Sequence, residues 1–273
     1  MPTIHAVVFM RLALNDHWFT PLQYIRNRTT TYLDIFNSTV YYDDSTTKLE
    51  GFKREYADPT YPQDSAESLR CGRDNMRWAG RTETLTVKGG DRISWGSVIL
   101  PPRYWSEGMF AEGCAGVCGS TGPFHGGPVQ AYLSRVPNGT DIREYDGSGR
   151  WFKISSIGLN PKSNLVDWLG SSLTHKESTN PTITIPAKTP PGIYLLRIEM
   201  TYPRALPNYA QFYTSCAHIN VEGVGGGRLP VGVKVPKDFP WDHPGLSISK
   251  TMEDLKKVDT GYVYPGGELW DGN

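Results

Sequence analysis

Apolar and polar residues alternate along much of this chain with a period of two, the pattern of strands with one face buried. Thr82-Glu-Thr-Leu-Thr-Val87 alternates, runs into Lys-Gly-Gly-Asp, and resumes as Arg92-Ile-Ser-Trp95, which predicts a hairpin with a glycine turn. Val129 to Val136 predicts another strand, closed by Pro-Asn-Gly-Thr. Trp151 to Ile154, Thr182 to Ile185, Ile193 to Met200 and Gln211 to Val221 complete the set, and Pro190-Pro-Gly192 is the turn between two of them. Helical periodicity is confined to short windows, at 164–169 and 252–258. The pattern predicts an all-β fold: an immunoglobulin-like or fibronectin-like antiparallel β-sandwich with long loops and a few short helices. Irregular stretches at about 27–69 and 101–124 are of the length that usually carries function. Beyond Gly223 the chain is rich in Gly and Pro and reads as an extended tail laid over the domain.

Composition narrows the function classes. The 273 residues carry 28 Lys+Arg against 28 Asp+Glu, with no basic block, which argues against nucleic acid as a partner. No apolar run nears the roughly 18 residues of a membrane span, so no membrane partner is expected. The four cysteines, Cys71, Cys114, Cys118 and Cys216, are an even number that suits disulfides. Glycosylation sequons stand at Asn27-Arg-Thr, Asn37-Ser-Thr and Asn138-Gly-Thr, while Asn180 is followed by Pro. Together these predict a secreted protein in an oxidising, extracellular setting. Met1-Pro-Thr-Ile4 has neither the basic start nor the apolar stretch of a secretory leader.

His125-Gly-Gly-Pro stands at the entrance to the Val129 strand, where glycines let backbone or ligand come close. In Gln211-Phe-Tyr213, period two sends Gln211 and Tyr213 to one face and Phe212 to the other, toward the core. Residue chemistry alone leaves two readings of His125 open, a hydrogen-bonded loop residue or a ligand beside a polar pair.

The ordered strings His125-Gly-Gly-Pro-Val-Gln-Ala-Tyr-Leu-Ser-Arg-Val-Pro137, Asp146-Gly-Ser-Gly-Arg-Trp-Phe-Lys-Ile154, Pro191-Gly-Ile-Tyr-Leu-Leu-Arg-Ile-Glu199 and Ala210-Gln-Phe-Tyr-Thr-Ser-Cys216 closely resemble the fungal cellulose-active lytic polysaccharide monooxygenases, formerly classed as glycoside hydrolases. The similarity runs from about His5 to Trp270. It implies one copper ion in a histidine brace: His5 through its amine and ring, His125 as the second ligand, Tyr213 axial, and Gln211 beside it. Imidazole and amine donors suit copper in a tetragonal site. The implied activity is oxidative cleavage of cellulose or a related β-glucan. It uses an external electron donor, or redox partner, with dioxygen or hydrogen peroxide. The resemblance also implies a monomer, a mature chain of residues 5–273 preceded by residues 1–4, and a disulfide joining Cys71 to Cys216. Cys114 and Cys118 are expected to form a local disulfide. Tyr262 matches a tyrosine that stacks on glucose rings, and a tail tyrosine packed on the domain is the equal alternative; Tyr24 and Trp18 are lesser candidates for that plane.

Two departures bear on the chemistry. Residues 1–4 precede His5, and with them attached His5 has no free amine. Where the family usually places a histidine that hydrogen-bonds the oxygen species, this chain has Arg204, which donates hydrogen bonds but does not shuttle protons near neutral pH. Arg204 therefore favours a rival reading, a non-catalytic relative that binds glycan or copper without cleavage. A two-carboxylate glycosidase built on Asp167 and Glu199 is disfavoured, because nothing in the sequence brings them together. The histidines His17, His175, His218 and His243 are expected to be structural.

Overall fold

In the computed structural model the chain builds two packed sheets. The structure describes residues 8–26, 48–49, 52–53, 59–98, 107–111, 114, 116–118, 122–177, 180–240 and 242–273. His5, Asn27 and Asn37 lie outside them, as does most of the two irregular stretches. One sheet runs in the order β2 (His17–Trp18), β1 (Val8–Leu14), β6 (Arg92–Val98), β9 (Thr182–Thr184). The other runs β5 (Thr84–Lys88), β11 (Gln211–Glu222), β10 (Gly192–Tyr202), β7 (Val129–Arg135), β8 (Phe152–Ile157). β3 (Lys48–Leu49) and β4 (Phe52–Lys53) pair with each other. Every sheet pairing is antiparallel except β5 on β11.

The alternation works as expected between the sheets. Phe9, Leu12, Ile93 and Trp95 from one meet Leu133, Leu196, Ile198 and Ile219 from the other in a single buried cluster. Each such side chain contributes roughly 1.5–3 kcal/mol of burial. Outside the five-stranded sheet the pattern changes. Tyr132, Leu195, Phe212 and Cys216 point away from that core, yet they are buried in a second cluster with Leu69, Trp151, Val235 and Phe239. The short helix Ala66–Cys71 and the tail after Gly223 cover this face. The tail pairs Val233 with Trp151 and Leu269 with Lys153, as an overlaid tail should. The assignment of Phe212 to the inter-sheet core is therefore corrected. Tyr213 faces that core, and Phe212 faces the covered outer surface. Period two separates the faces, but it does not reveal that both are buried.

Two further expectations change. The predicted hairpin from Thr82 to Trp95 does not form, because β5 and β6 part to opposite sheets. Alternation predicts strands but not which sheet each joins. Here Gly90 N donates to Ile185 O at 2.8 Å, and a Cβ on Gly89 would lie 2.3 Å from Ala187 O. The turn is thus seated on the chain just beyond β9, and β6 pairs with β9 instead of β5. The helix expected at 164–169 is replaced by turns, since Asp167 O accepts from Asn160 N (2.8 Å) and Leu169 N donates to Gly158 O (2.9 Å). Those bonds to the end of β8 take the groups a helix would use. The second window is helical only at its start: the helix is Lys250–Glu253, capped by the Ser249 side chain, and residues 254–258 are turn and coil, with Leu255 at φ 61°.

Both expected disulfides are present, Cys71–Cys216 and Cys114–Cys118. The first ties the helix Ala66–Cys71 to the middle of β11 across 145 residues of sequence. Among the described residues no helix is long and apolar enough to cross a membrane.

Candidate copper site

His125 is held at the mouth of β7 by packing that only glycine permits. A Cβ on Gly127 would fall 1.7 Å from Thr201 O, and Thr201 N donates to Pro128 O at 3.1 Å. On Gly126 a Cβ would touch Leu255 and Trp168 at 3.2 and 3.5 Å. The His-Gly-Gly-Pro segment is thereby wedged between the end of β10 and the 158–175 loop. Ser171 and Ser172 hydroxyls reach back to the carbonyls of Phe124 and Pro123 at 3.3 and 3.1 Å.

The register of β10 on β11 sets Met200 opposite Tyr213 and Tyr202 opposite Gln211. Tyr213 and Tyr202 both stack on the His125 imidazole, at centroid distances of 4.8 and 4.9 Å with interplanar angles of 20° and 15°. The Tyr213 hydroxyl lies 2.7 Å from His125 Nε2 and donates to Gln211 Oε1 at 2.8 Å. With its single proton turned to Gln211, Tyr213 offers a lone pair to an Nε2–H tautomer of His125. Gln211 Nε2 in turn reaches the Tyr61 hydroxyl at 3.5 Å. His125 and Tyr213 are buried, and Gln211 is half-buried.

Sequence reasoning thus names three residues that the fold brings together, His125, Tyr213 and Gln211, and misses Tyr202. The clue was available: Tyr202 closes one strand and Gln211 opens the next, so an antiparallel register places them side by side.

Arg204 sits nearby but is engaged elsewhere. Its Nε donates to Glu253 Oε1, and its guanidinium carbon lies 4.9 Å from the Tyr202 ring centroid. Burial pushes the Glu253 carboxyl up, but hydrogen bonds from Arg204 and Lys250 outweigh this and leave it below the usual range. Tyr262 packs edge-on against Trp168 and Tyr264, at 5.6 and 5.3 Å, partly buried and with its hydroxyl buried. Through Trp168 it stands one side chain from Gly126. Tyr24 is not brought to this group. Its carbonyl accepts from His218 N, five residues along β11 from Tyr213, or about 17 Å by strand rise. Trp18 packs under Arg11, 5.8 Å from the guanidinium carbon.

Asp167 and Glu199 have separate structural commitments. Asp167 takes Asn160 Nδ2 at 2.8 Å and His175 Nδ1 at 3.2 Å. Glu199 is fully buried against Arg197 and the Thr201 hydroxyl.

Among the described residues no three His, Cys, Asp or Glu side chains cluster to hold a metal. His125 Nε2 and the Tyr213 oxygen nonetheless converge on one spot as neutral nitrogen and oxygen donors, a set that suits copper with further ligands from elsewhere.

Comparison with known proteins assigns the chain to a family. The sequence profile of Auxiliary Activity family 9 (formerly GH61) matches residues 27–259. A relative named AA9 family lytic polysaccharide monooxygenase U, from Thermothielavioides terrestris, is 33% identical over 218 residues, covering 75% of this chain and 73% of its own. AA9 family lytic polysaccharide monooxygenase H of Malbranchea cinnamomea is 30% identical over 223 residues, 81% of this chain and 83% of its own. Among solved structures, HiLPMO9B superposes with a TM-score of 0.65 at 20% identity, over 97% of this chain and 100% of that one. Cel61B of Hypocrea jecorina, described as a glycoside hydrolase family 61 member, gives the same values. At that identity the two structures establish the shared sandwich fold. The profile and the relatives span most of the sequence, and the chain therefore belongs to Auxiliary Activity family 9, the family of the lytic polysaccharide monooxygenases.

Proposed function

We propose that this enzyme cleaves cellulose or a related β-glucan oxidatively, with one copper ion in a brace formed by the amine and ring of His5 and the ring of His125. Family membership carries the coarser statement, copper-dependent oxidation of polysaccharide. The observation that supports the finer one is the convergence of His125 Nε2 and the Tyr213 hydroxyl at 2.7 Å, at the end of two paired strands. Bound copper supplies one-electron chemistry toward dioxygen or hydrogen peroxide, with electrons from an external donor. The chain's own residues set the stage for it. His125 would hold the ion through Nε2, in the tautomer that carries its ring proton on Nδ1. The Tyr213 oxygen would lie beside the ion held by His125 Nε2, and Gln211 fixes the direction of the Tyr213 proton. Stacked tyrosines exclude water from the imidazole faces. Tyr262, partly buried against Trp168 near Gly126, is the ring that would meet a sugar face.

The brace requires a free amine on His5, so the active form begins at that residue, and the two disulfides fit its formation outside the cell. Asn138, exposed in the turn where Thr140 N bonds Pro137 O at 3.1 Å, is the described sequon open to glycosylation. It follows the end of β7, whereas His125 precedes its start, so a glycan there leaves the copper end clear.

The test is release of oxidised oligosaccharides from cellulose by protein starting at His5, given copper and ascorbate, against His125→Ala. Product from the parent and none from the variant is expected. Equal product from both rejects the brace. Copper binding by the parent without any product favours the second reading, a non-catalytic relative, for which the engagement of Arg204 by Glu253 is the supporting observation.

A further inference from the structure

We propose that Glu253, Arg204 and Tyr202 form a positioning arm that pins a tyrosine ring on the His125 imidazole and fixes the direction of its Nε2. In this arm Arg204 acts through Tyr202 and not as a donor to a reacting oxygen.

Each joint is seen directly. The Tyr202 ring is nearly parallel to the imidazole, 15° apart at 4.9 Å. The Arg204 guanidinium lies over that tyrosine, also at 4.9 Å. A cation over an aromatic face is attracted by the ring quadrupole, and more strongly where water is partly excluded. The Arg204 backbone cannot drift, because Arg204 N donates to Leu246 O and Ile248 N donates to Arg204 O, both at 3.1 Å. Its Nε is spent on Glu253, whose side chain is only 8% exposed and whose other oxygen takes Lys250 Nζ at 3.2 Å. Glu253 in turn rides on the helix Lys250–Glu253, locked by the Ser249 cap and by Met252 packed with Trp168. Trp168 also backs Gly126, beside His125. Two routes from the 249–255 segment therefore converge on His125. One runs through Arg204 and Tyr202, the other through Trp168 and Leu255 against Gly126.

The chemical consequence is orientational. An imidazole can swing about its Cβ–Cγ bond, and a ligand that swings loses the angle a metal needs. Groups that touch a ligating histidine without touching the metal typically change metal affinity by about 10–100-fold when removed. This inference rests on the copper role proposed for His125, so its first readout is taken without metal.

In metal-free protein the His125 ring C–H resonances are displaced by the ring current of Tyr202. Glu253→Gln keeps the shape of the carboxylate and removes its charge; Arg204→Ala removes the guanidinium; Tyr202→Leu removes the ring. All three are expected to move the His125 resonances in the same direction, Tyr202→Leu the most, with Arg204→Lys recovering part of the shift. Circular dichroism identifies any variant that fails to fold, and the conservative Glu253→Gln decides if Tyr202→Leu does. Unmoved His125 resonances in folded Glu253→Gln and Arg204→Ala overturn the arm. The second readout is copper titration with the Cu(II) electron paramagnetic resonance spectrum. A weakening of about tenfold and an altered spectrum in Glu253→Gln are expected. If the NMR shifts appear but the parent binds no copper, the arm stands and the copper reading fails. If only turnover changes, Arg204 acts on the reacting oxygen and the arm is rejected.

Discussion

At one end of β11 the Tyr213 hydroxyl lies 2.7 Å from Nε2 of His125. Five residues further along the same strand, Nε2 of His218 takes a hydrogen bond from Arg26 Nε at 2.6 Å. Both imidazoles are buried, and both use the same ring nitrogen. They differ in what holds that nitrogen. Arg26 carries no lone pair and does not give up its protons, so it occupies the acceptor site of His218 permanently. The same guanidinium also donates to Tyr145 O at 2.7 Å and to Ile142 O, which makes it a bolt between β11 and the 141–146 segment. Tyr213 is neutral, has lone pairs to share and has Gln211 for its own proton, so the nitrogen opposite it is exchangeable. A buried histidine becomes a candidate ligand when its partner can be replaced.

The comparison breaks most forcefully at Arg26. Arg26→Met leaves the His218 lone pair and the Tyr145 carbonyl buried without a donor, and takes from the Ile142 carbonyl one of its two donors. Unpaired buried groups cost about 1–3 kcal/mol each, so a loss of roughly 3–5 kcal/mol is expected by guanidinium chloride denaturation. Copper affinity at His125 should stay within about twofold of the parent. A stability loss below about 1 kcal/mol removes the bolt from the argument.

A smaller effect follows from protonation. Burial, and then the Arg26 charge, push the His218 pKa down to about 3 from its ordinary 6.5. The unfolded chain therefore binds a proton as pH falls below 6.5 while the folded chain does not. His218 contributes no penalty above that pH, and stability drains away between about 6.5 and 3. The expected loss is about 2 kcal/mol by pH 5. Denaturation midpoints of the parent and of His218→Gln across this range isolate it, since the variant lacks the titration. Parallel curves for the two proteins from pH 6.5 to 5 would show that His218 does not titrate as its surroundings require.

How far this contrast was legible in the sequence depends on the residue. Alternation around Val129, Ile193 and Gln211 predicts the strands correctly, because a strand with an apolar face must bury it. His125, Gln211 and Tyr213 are found by motif and by period. The hairpin at Gly89 and Gly90 misleads because the sheet a strand joins is decided by contacts with residues near Ile185, almost a hundred positions away. Arg26 and His218 give no signal at all. A buried guanidinium bonded to an imidazole and to two backbone carbonyls looks, in sequence, like any surface arginine. Tyr202 and Glu253 fall between these cases. Register predicts the first beside Gln211, whereas the second depends on how the tail returns over the sheet.

The mildest variant gives the sharpest form of the comparison. Tyr213→Phe keeps the ring that stacks on His125 and removes only the hydroxyl shared with Nε2 and Gln211 Oε1. Gln211 is half-buried and can turn to water, and the imidazole keeps Tyr202 on its face. The expected cost to metal-free stability is therefore about 1 kcal/mol, the usual net value of one hydrogen bond. In the copper-loaded protein the same variant should alter the Cu(II) electron paramagnetic resonance spectrum, while His218→Gln leaves it untouched. A loss near that of Arg26→Met would mean that Tyr213 bolts His125 in place as Arg26 bolts His218. The nitrogen would then be no freer for a metal at one end of β11 than at the other.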